Sequence, residues 1–236
     1  MPDIATPAGT VRVLAREAAF AELLDRLETR AARGGFTAGL SGGSTPKAFY
    51  AWAAAGRRLS PPLLARADWH VSDERCVPLG SDESNFGHAA RGLLDPLGVP
   101  PARRFPWPTE LPPVEAAVRY ASSRHPGSGF DVCVLGLGDD AHVASLWPGC
   151  PLIGVADGPL FAATEWPGRG WRLTITRAGL ARCGEIVVLV NGASKASALR
   201  AVCHGPADFA GFPGQVLREL SSRVTWLADP EAAAGL

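Results

Sequence analysis

Short β-type runs alternate with helical patterns along nearly all of the 236 residues, and that alternation limits the fold more than any other feature. Thr10–Leu14 reads as a strand and Glu17–Arg33 as a helix, with Phe20, Leu23, Leu24 and Leu27 at helical spacing. Phe36–Leu40 is a strand again. The loop Ser41-Gly42-Gly43-Ser44-Thr45 follows it, and Pro46 suits the first turn of a helix running to about Ala55. Further strands are expected at Asp68–Ser72, Phe130–Leu135, Trp171–Thr176, Ile186–Val190 and Val224–Leu227. Helices are expected at Ser84–Leu94, Val114–Ser123, Ala178–Arg182 and Ser194–His204. Phe130–Leu135 is continuously apolar and bounded by glycine, the mark of a strand buried on both faces. Such an order predicts an α/β fold with a mostly parallel sheet and helices on both faces. The Pro-rich stretches Pro96–Pro113 and Cys150–Pro159 are connections. No repeat or linker divides the chain, so one domain over residues 1–236 is expected.

Composition narrows the setting. Basic and acidic side chains number 23 each, so the formal net charge is zero and the long-range field of a nucleic-acid or membrane-surface binder is missing. Hydrophobic residues make up 47% of the chain, enough for a real core. No apolar run approaches the roughly 18 residues that span a bilayer, and Met1-Pro2-Asp3 opens no basic and apolar leader. The five cysteines, Cys76, Cys133, Cys150, Cys183 and Cys203, form no C-x-x-C pair, which argues against a disulfide framework or a zinc site. A cytoplasmic protein is expected, without nucleic-acid or membrane partners, as a monomer or weak homodimer.

In a parallel α/β sheet, ligands sit beyond the carboxyl ends of the strands. Four loops at such positions carry polar residues: Ser41–Thr45, Asp73–Arg75, Gly136–His142 and Asn191–Lys195. The first joins a strand to a helix with two glycines and three hydroxyls, so backbone N–H groups and a helix N-terminus can meet an anion. A plain capped turn would have the same letters. Lys47 and Lys195 are the only lysines in a chain that otherwise uses Arg, and Lys195 follows a strand. Arg75, also past a strand, offers a second cation. Each alone is an ordinary surface charge; together they point to a phosphorylated small molecule.

Two other patterns are weaker. Gly39-Leu40-Ser41-Gly42-Gly43 matches the nucleophile elbow of serine hydrolases, but Pro46 puts the helix start about five residues past Ser41. Gly136-Leu137-Gly138-Asp139-Asp140-Ala141 matches a dinucleotide fingerprint. Its two carboxylates would each oppose a pyrophosphate by about 1 kcal/mol even at the dielectric of water. His142 is the candidate base. It follows the strongest strand, stands two residues after Asp140, and is expected to open a short helical turn over Val143–Leu146. The neighbouring acids could orient its ring, and imidazole suits water activation near neutral pH. His70, His88, His125 and His204 are read as structural or solvated. No third ligand accompanies Asp140 and His142 at a recognisable spacing, so no metal is expected.

The chain resembles the 6-phosphogluconolactonase family. The resemblance rests on Leu40–Pro46, on Ser72-Asp73-Glu74-Arg75 followed by Ser84-Asn85, and on the run Leu135–Gly149. It continues through Arg172-Leu173-Thr174-Ile175-Thr176 and Asn191–Lys195, covering nearly the whole chain in order. It implies a three-layer Rossmann-like fold shared with sugar-phosphate isomerases and deaminases. It also implies cofactor-free hydrolysis of 6-phosphoglucono-δ-lactone in the pentose phosphate pathway. By position, His142 matches the family's general base and Asp140 the acid before it. Ser41, Gly42, Gly43, Ser44, Thr45, Arg75 and Lys195 match phosphate contacts, and Arg172 a basic residue near the substrate. Glucosamine-6-phosphate deaminases carry further acid–base groups after their His, which Ser145-Leu146-Trp147-Pro148 does not supply.

One departure bears on turnover. The family reads Asp-Gly-His where this chain has Asp140-Ala141-His142. In a left-handed backbone, Ala costs about 1–2 kcal/mol and could displace the base, leaving a silent sugar-phosphate sensor. In an ordinary backbone it is harmless.

Overall fold

A computed structural model describes residues 3–123 and 128–236; His125 and the first two residues of the N-terminal reading lie outside them. Six parallel strands form the spine of the larger sheet: β2 (Gly9–Val13), β10 (Val224–Ala228), β9 (Glu185–Val190), β6 (Val132–Gly136), β3 (Phe36–Leu40) and β4 (Ala67–Val71). A short antiparallel strand, β1 (Ile4–Thr6), extends the β2 edge. The chain runs outward from β3 to β4, then returns to β6 and builds outward again through β9 to β10. The direction of winding therefore switches between β3 and β6.

The central strands read as apolar runs because both of their faces are covered: β6 and β9 bury nearly every residue. Helix α1 (Arg16–Ala32) packs on β3 and β10 through Phe20, Leu23, Leu27 and Ala31, a helical stripe. Helix α2 (Ser44–Ala55) packs on β6 and β9. The expected three-layer α/β architecture is found.

A second, antiparallel sheet departs from the expectation. It consists of β5 (Asp73–Arg75), β8 (Gly170–Ile175) and β7 (Phe161–Trp166). Asp73–Arg75 was expected to be loop, and Trp171–Thr176 was expected to add to the parallel sheet. The Arg75 segment instead pairs with β8, setting Arg75 opposite Arg172. Ser72 links the two sheets: its N–H donates to the Leu40 carbonyl at 2.7 Å, and its own carbonyl accepts from the Ile175 N–H at 2.8 Å.

Smaller elements complete the chain: α3 (Pro61–Arg66), α4 (Asn85–Ala89) followed by a wider turn over Ala90–Leu94, α5 (Pro113–Ser122), α6 (Arg177–Leu180) and α7 (Ala196–His204). No helix among the described residues is long and apolar enough to cross a membrane.

Candidate active site

All four polar loops reach one crevice of about 280 Å³, because β9, β6, β3 and β4 are successive neighbours and their carboxyl ends lie side by side. It opens at the switch between β3 and β6, where this architecture places ligands. Ser41, Gly42, Gly43, Ser44, Thr45, Arg75, His142, Arg172 and Lys195 all line it. Asp140 stands behind the imidazole.

The Ser41–Thr45 loop is built for close approach. Helix α2 begins at Ser44, two residues before the expected Pro46, and Gly43 caps it with φ 93°, a conformation that favours glycine. A Cβ on Gly42 would lie 2.0 Å from Asn85 Oδ1, so that position also requires glycine. Ser41 is buried, its carbonyl accepting from the Tyr50 hydroxyl at 2.6 Å. Its φ is not positive, unlike the strained nucleophile of an elbow.

The Gly138–His142 segment closes as a tight loop. The Ala141 N–H donates to the Gly138 carbonyl at 3.0 Å, and the Gly138 N–H donates to the His142 carbonyl at 2.9 Å. No helix follows β6 here, contrary to the dinucleotide fingerprint and to the expected helical turn. Val143 and Leu146 face each other as an isolated bridge around Ala144 at φ 48°. The imidazole therefore sits at no helix N-terminus.

Ala141 does adopt the left-handed conformation, at φ 64°. It is fully buried, and its carbonyl accepts from the Gly214 N–H at 2.8 Å. The strain at Ala141 coexists with an intact His142–Asp140 contact. His142 Nδ1 lies 2.5 Å from Asp140 Oδ1 and its ring still faces the crevice. The hydrogen bond from His142 holds the Asp140 carboxyl down to about 2, against the opposing effect of its partial burial. Asp140 is a carboxylate at any working pH, so it can fix Nδ1–H and leave Nε2 to accept a proton.

Cations dominate the walls. Lys195 forms an ion pair with Asp139 at 2.8 Å, which pulls the Asp139 carboxyl below the usual range. Arg172 donates from Nη1 to the Arg169 carbonyl at 2.6 Å, and burial together with nearby Arg75 lowers its affinity for its proton. Arg75 Nη1 donates to the Glu83 carbonyl at 2.6 Å. Beneath it, Glu74 is fully buried and accepts from the N–H groups of Arg75, Asn85 and Phe86 and from the Ser84 hydroxyl, at 2.7–3.0 Å. Burial raises the Glu74 carboxyl, and those four donors oppose the rise.

Asp73, Asn85, Ser145, Trp166 and Arg169 also line the crevice and were not singled out from the sequence. Asp73 accepts from the Ser145 hydroxyl at 2.7 Å, and the Asn85 amide donates to the Asp73 carbonyl at 2.9 Å. Asp73, Asn85 and Ser145 stand within the motifs quoted above. Trp166 and Arg169 lie on the β7–β8 hairpin, whose signal was Gly168 and Gly170 between two alternating runs.

A parallel α/β sheet with a cation-walled crevice, a glycine-rich cradle and a carboxylate-held imidazole defines a class of proteins acting on small anionic metabolites. A family model described as glucosamine-6-phosphate isomerases/6-phosphogluconolactonase matches residues 11–226. A 6-phosphogluconolactonase of Synechocystis sp. is 35% identical over 215 residues, covering 87% of each chain. The crystal structure of devB protein superposes with a TM-score of 0.84 at 28% identity, over 96% of this chain and 98% of that one. The 6-phosphogluconolactonase of Trypanosoma brucei does so with a TM-score of 0.81 at 26% identity, over 97% and 98%. The chain belongs to the glucosamine-6-phosphate isomerase/6-phosphogluconolactonase family.

Proposed function

We propose that this protein hydrolyses 6-phosphoglucono-δ-lactone to 6-phosphogluconate, a step of the pentose phosphate pathway, in the crevice between β3 and β6. The observation that carries the reading is that the His142–Asp140 pair and the Ser41–Thr45 loop share that crevice. The lactone's phosphate docks on the loop amides and hydroxyls, Arg75 and Lys195, with Arg172 alongside. That docking fixes C1 near His142. His142 Nε2 takes a proton from water as its oxygen adds to C1. The ring C1–O bond then breaks, and the imidazolium returns the proton to the departing ring oxygen, which becomes a hydroxyl. A lactone is an activated ester, so one base with good positioning suffices and no cofactor or metal is required.

The intact His142–Asp140 contact supports turnover over a silent sensor, despite the strain at Ala141. We further read residues 1–236 as one cytoplasmic domain, monomeric or weakly dimeric, with no nucleic-acid partner. The test is turnover of fresh lactone above its spontaneous opening. His142→Ala should lower kcat by about 10²–10⁴ with little change in KM. A variant with near-normal kcat removes His142 from this role.

A further inference from the structure

The crevice holds more positive charge than one phosphate needs. Arg75, Arg169, Arg172 and Lys195 line it. Three of the four have donors already engaged: Arg75 on the Glu83 carbonyl, Arg172 on the hairpin carbonyls, Lys195 on Asp139. Among the described residues the Arg169 guanidinium makes no hydrogen bond or ion pair. It rests instead on the Trp166 indole, 4.9 Å above the ring centre.

Trp166 ties that cation to the reacting end. Its ring meets His142 edge-on, with centroids 5.1 Å apart, and stacks on Trp147 at 5.0 Å. One indole thus touches the imidazole and carries two guanidiniums, Arg169 at 4.9 Å and Arg172 at 5.9 Å from its centre, of which Arg169 is the nearer and the one with no donor engaged among the described residues. The tip that presents Arg169 is a tight turn with Gly168 at φ 72° and Gly170 at φ 74°, where the Arg169 N–H donates to the Trp166 carbonyl at 2.9 Å.

Lactone hydrolysis creates negative charge beside the base. The C1 carbonyl oxygen becomes anionic in the tetrahedral adduct and then forms half of the product carboxylate. We propose that Arg169, held on Trp166, is the residue that binds this C1 oxygen and the carboxylate it becomes. A planar guanidinium fits a carboxylate through two parallel hydrogen bonds, which an ammonium does not match. The identity of the anion rests on the lactonase reading above; the residue and its place do not.

The experiment measures direct binding by calorimetry of two ligands that share the phosphate and hydroxyl chain. One is 6-phosphogluconate, and the other is sorbitol 6-phosphate, which has no carboxylate. In Arg169→Ala the Kd for 6-phosphogluconate should rise about tenfold, with sorbitol 6-phosphate unchanged; Arg169→Lys should recover only part of the loss. Equal weakening of both ligands assigns Arg169 to the phosphate and overturns the proposal, as does no change in either. Arg169 is exposed, so the variant should melt with the wild type. Wild-type protein that binds both ligands but does not accelerate lactone opening would refute the lactonase reading alone, because the binding comparison stands without turnover.

Discussion

Gly138→Ala isolates the imidazole from the rest of the crevice. A Cβ at this position would lie 2.0 Å from His142 Nδ1, 2.3 Å from Cε1 and 2.5 Å from Asp140 Oδ1. None of those separations is tolerable, so the ring must swing off Asp140. The backbone has no reason to move, since the φ of Gly138 is not positive. The replacement favours folding by about 0.4–1 kcal/mol through the unfolded chain. Against this stands one half-exposed His–Asp contact, worth about 0.2–1 kcal/mol. Stability should stay within about 1 kcal/mol of wild type, a melting shift of no more than about 4 °C for a chain of this size. Catalysis should suffer far more. Loss of a placed general base removes about 10²–10⁴ from kcat, while KM should change less than about threefold because the Ser41–Thr45 cradle is untouched. Acid release from fresh lactone, corrected for spontaneous opening and paired with thermal melting, reads both quantities. A variant with normal melting and kcat within about threefold of wild type would refute the claim that the Asp140-held ring pose drives the reaction.

Three other outcomes follow from the same geometry. Ala141→Gly relieves about 1–2 kcal/mol of left-handed strain but loses a buried methyl and gains unfolded-state entropy, so stability and kcat should both stay near wild type; a large gain in kcat would mean that the native ring is misplaced. Lys195→Met should raise KM about tenfold with a smaller effect on kcat, measured by steady-state kinetics; an unchanged KM would remove Lys195 from phosphate binding. Asp140 is depressed from the ordinary 3.8 to about 2, so its contribution to stability is full above the ordinary carboxyl range and fades as pH falls towards 2. Thermal melts of Asp140→Asn between about pH 2 and 5 should show a flatter acid dependence than wild type, and parallel curves would contradict the assignment.

The parallel sheet was legible because β3, β6, β9 and β10 bury both faces and their letters say so, in runs such as Val132-Cys133-Val134-Leu135. The loops that end those strands were legible for the same reason, which is why the cradle and the imidazole could be brought together from the sequence. The small antiparallel sheet was not. Asp73-Glu74-Arg75 is polar and reads as loop, yet Asp73 and Glu74 are buried on hydrogen bonds that include donors 10 to 72 positions away. Charged residues satisfied by distant partners leave no periodic trace. The helix start at Ser44 was missed because Pro46 also fits the third residue of a first turn, a position without an intrahelical donor. Ala141 carries its positive φ in a segment tied to Gly214, 73 residues later, a contact that the local letters do not announce.

Ser72 is the single residue between the last strand of the parallel sheet and the first of the antiparallel one. Ser72 is thus the covalent joint between the two sheets that wall the crevice, while the β7–β8 hairpin is held in addition by packing on α5. Lengthening or shortening the hairpin tip that carries Arg169 would move it and Trp166 relative to the Ser41–Thr45 cradle, and so change which sugar-phosphate lactones the chamber accepts. Within such a scaffold, substrate range and the contacts to the reacting end can change together on the antiparallel sheet, while the cradle and the His142–Asp140 pair stay on loops of the parallel one.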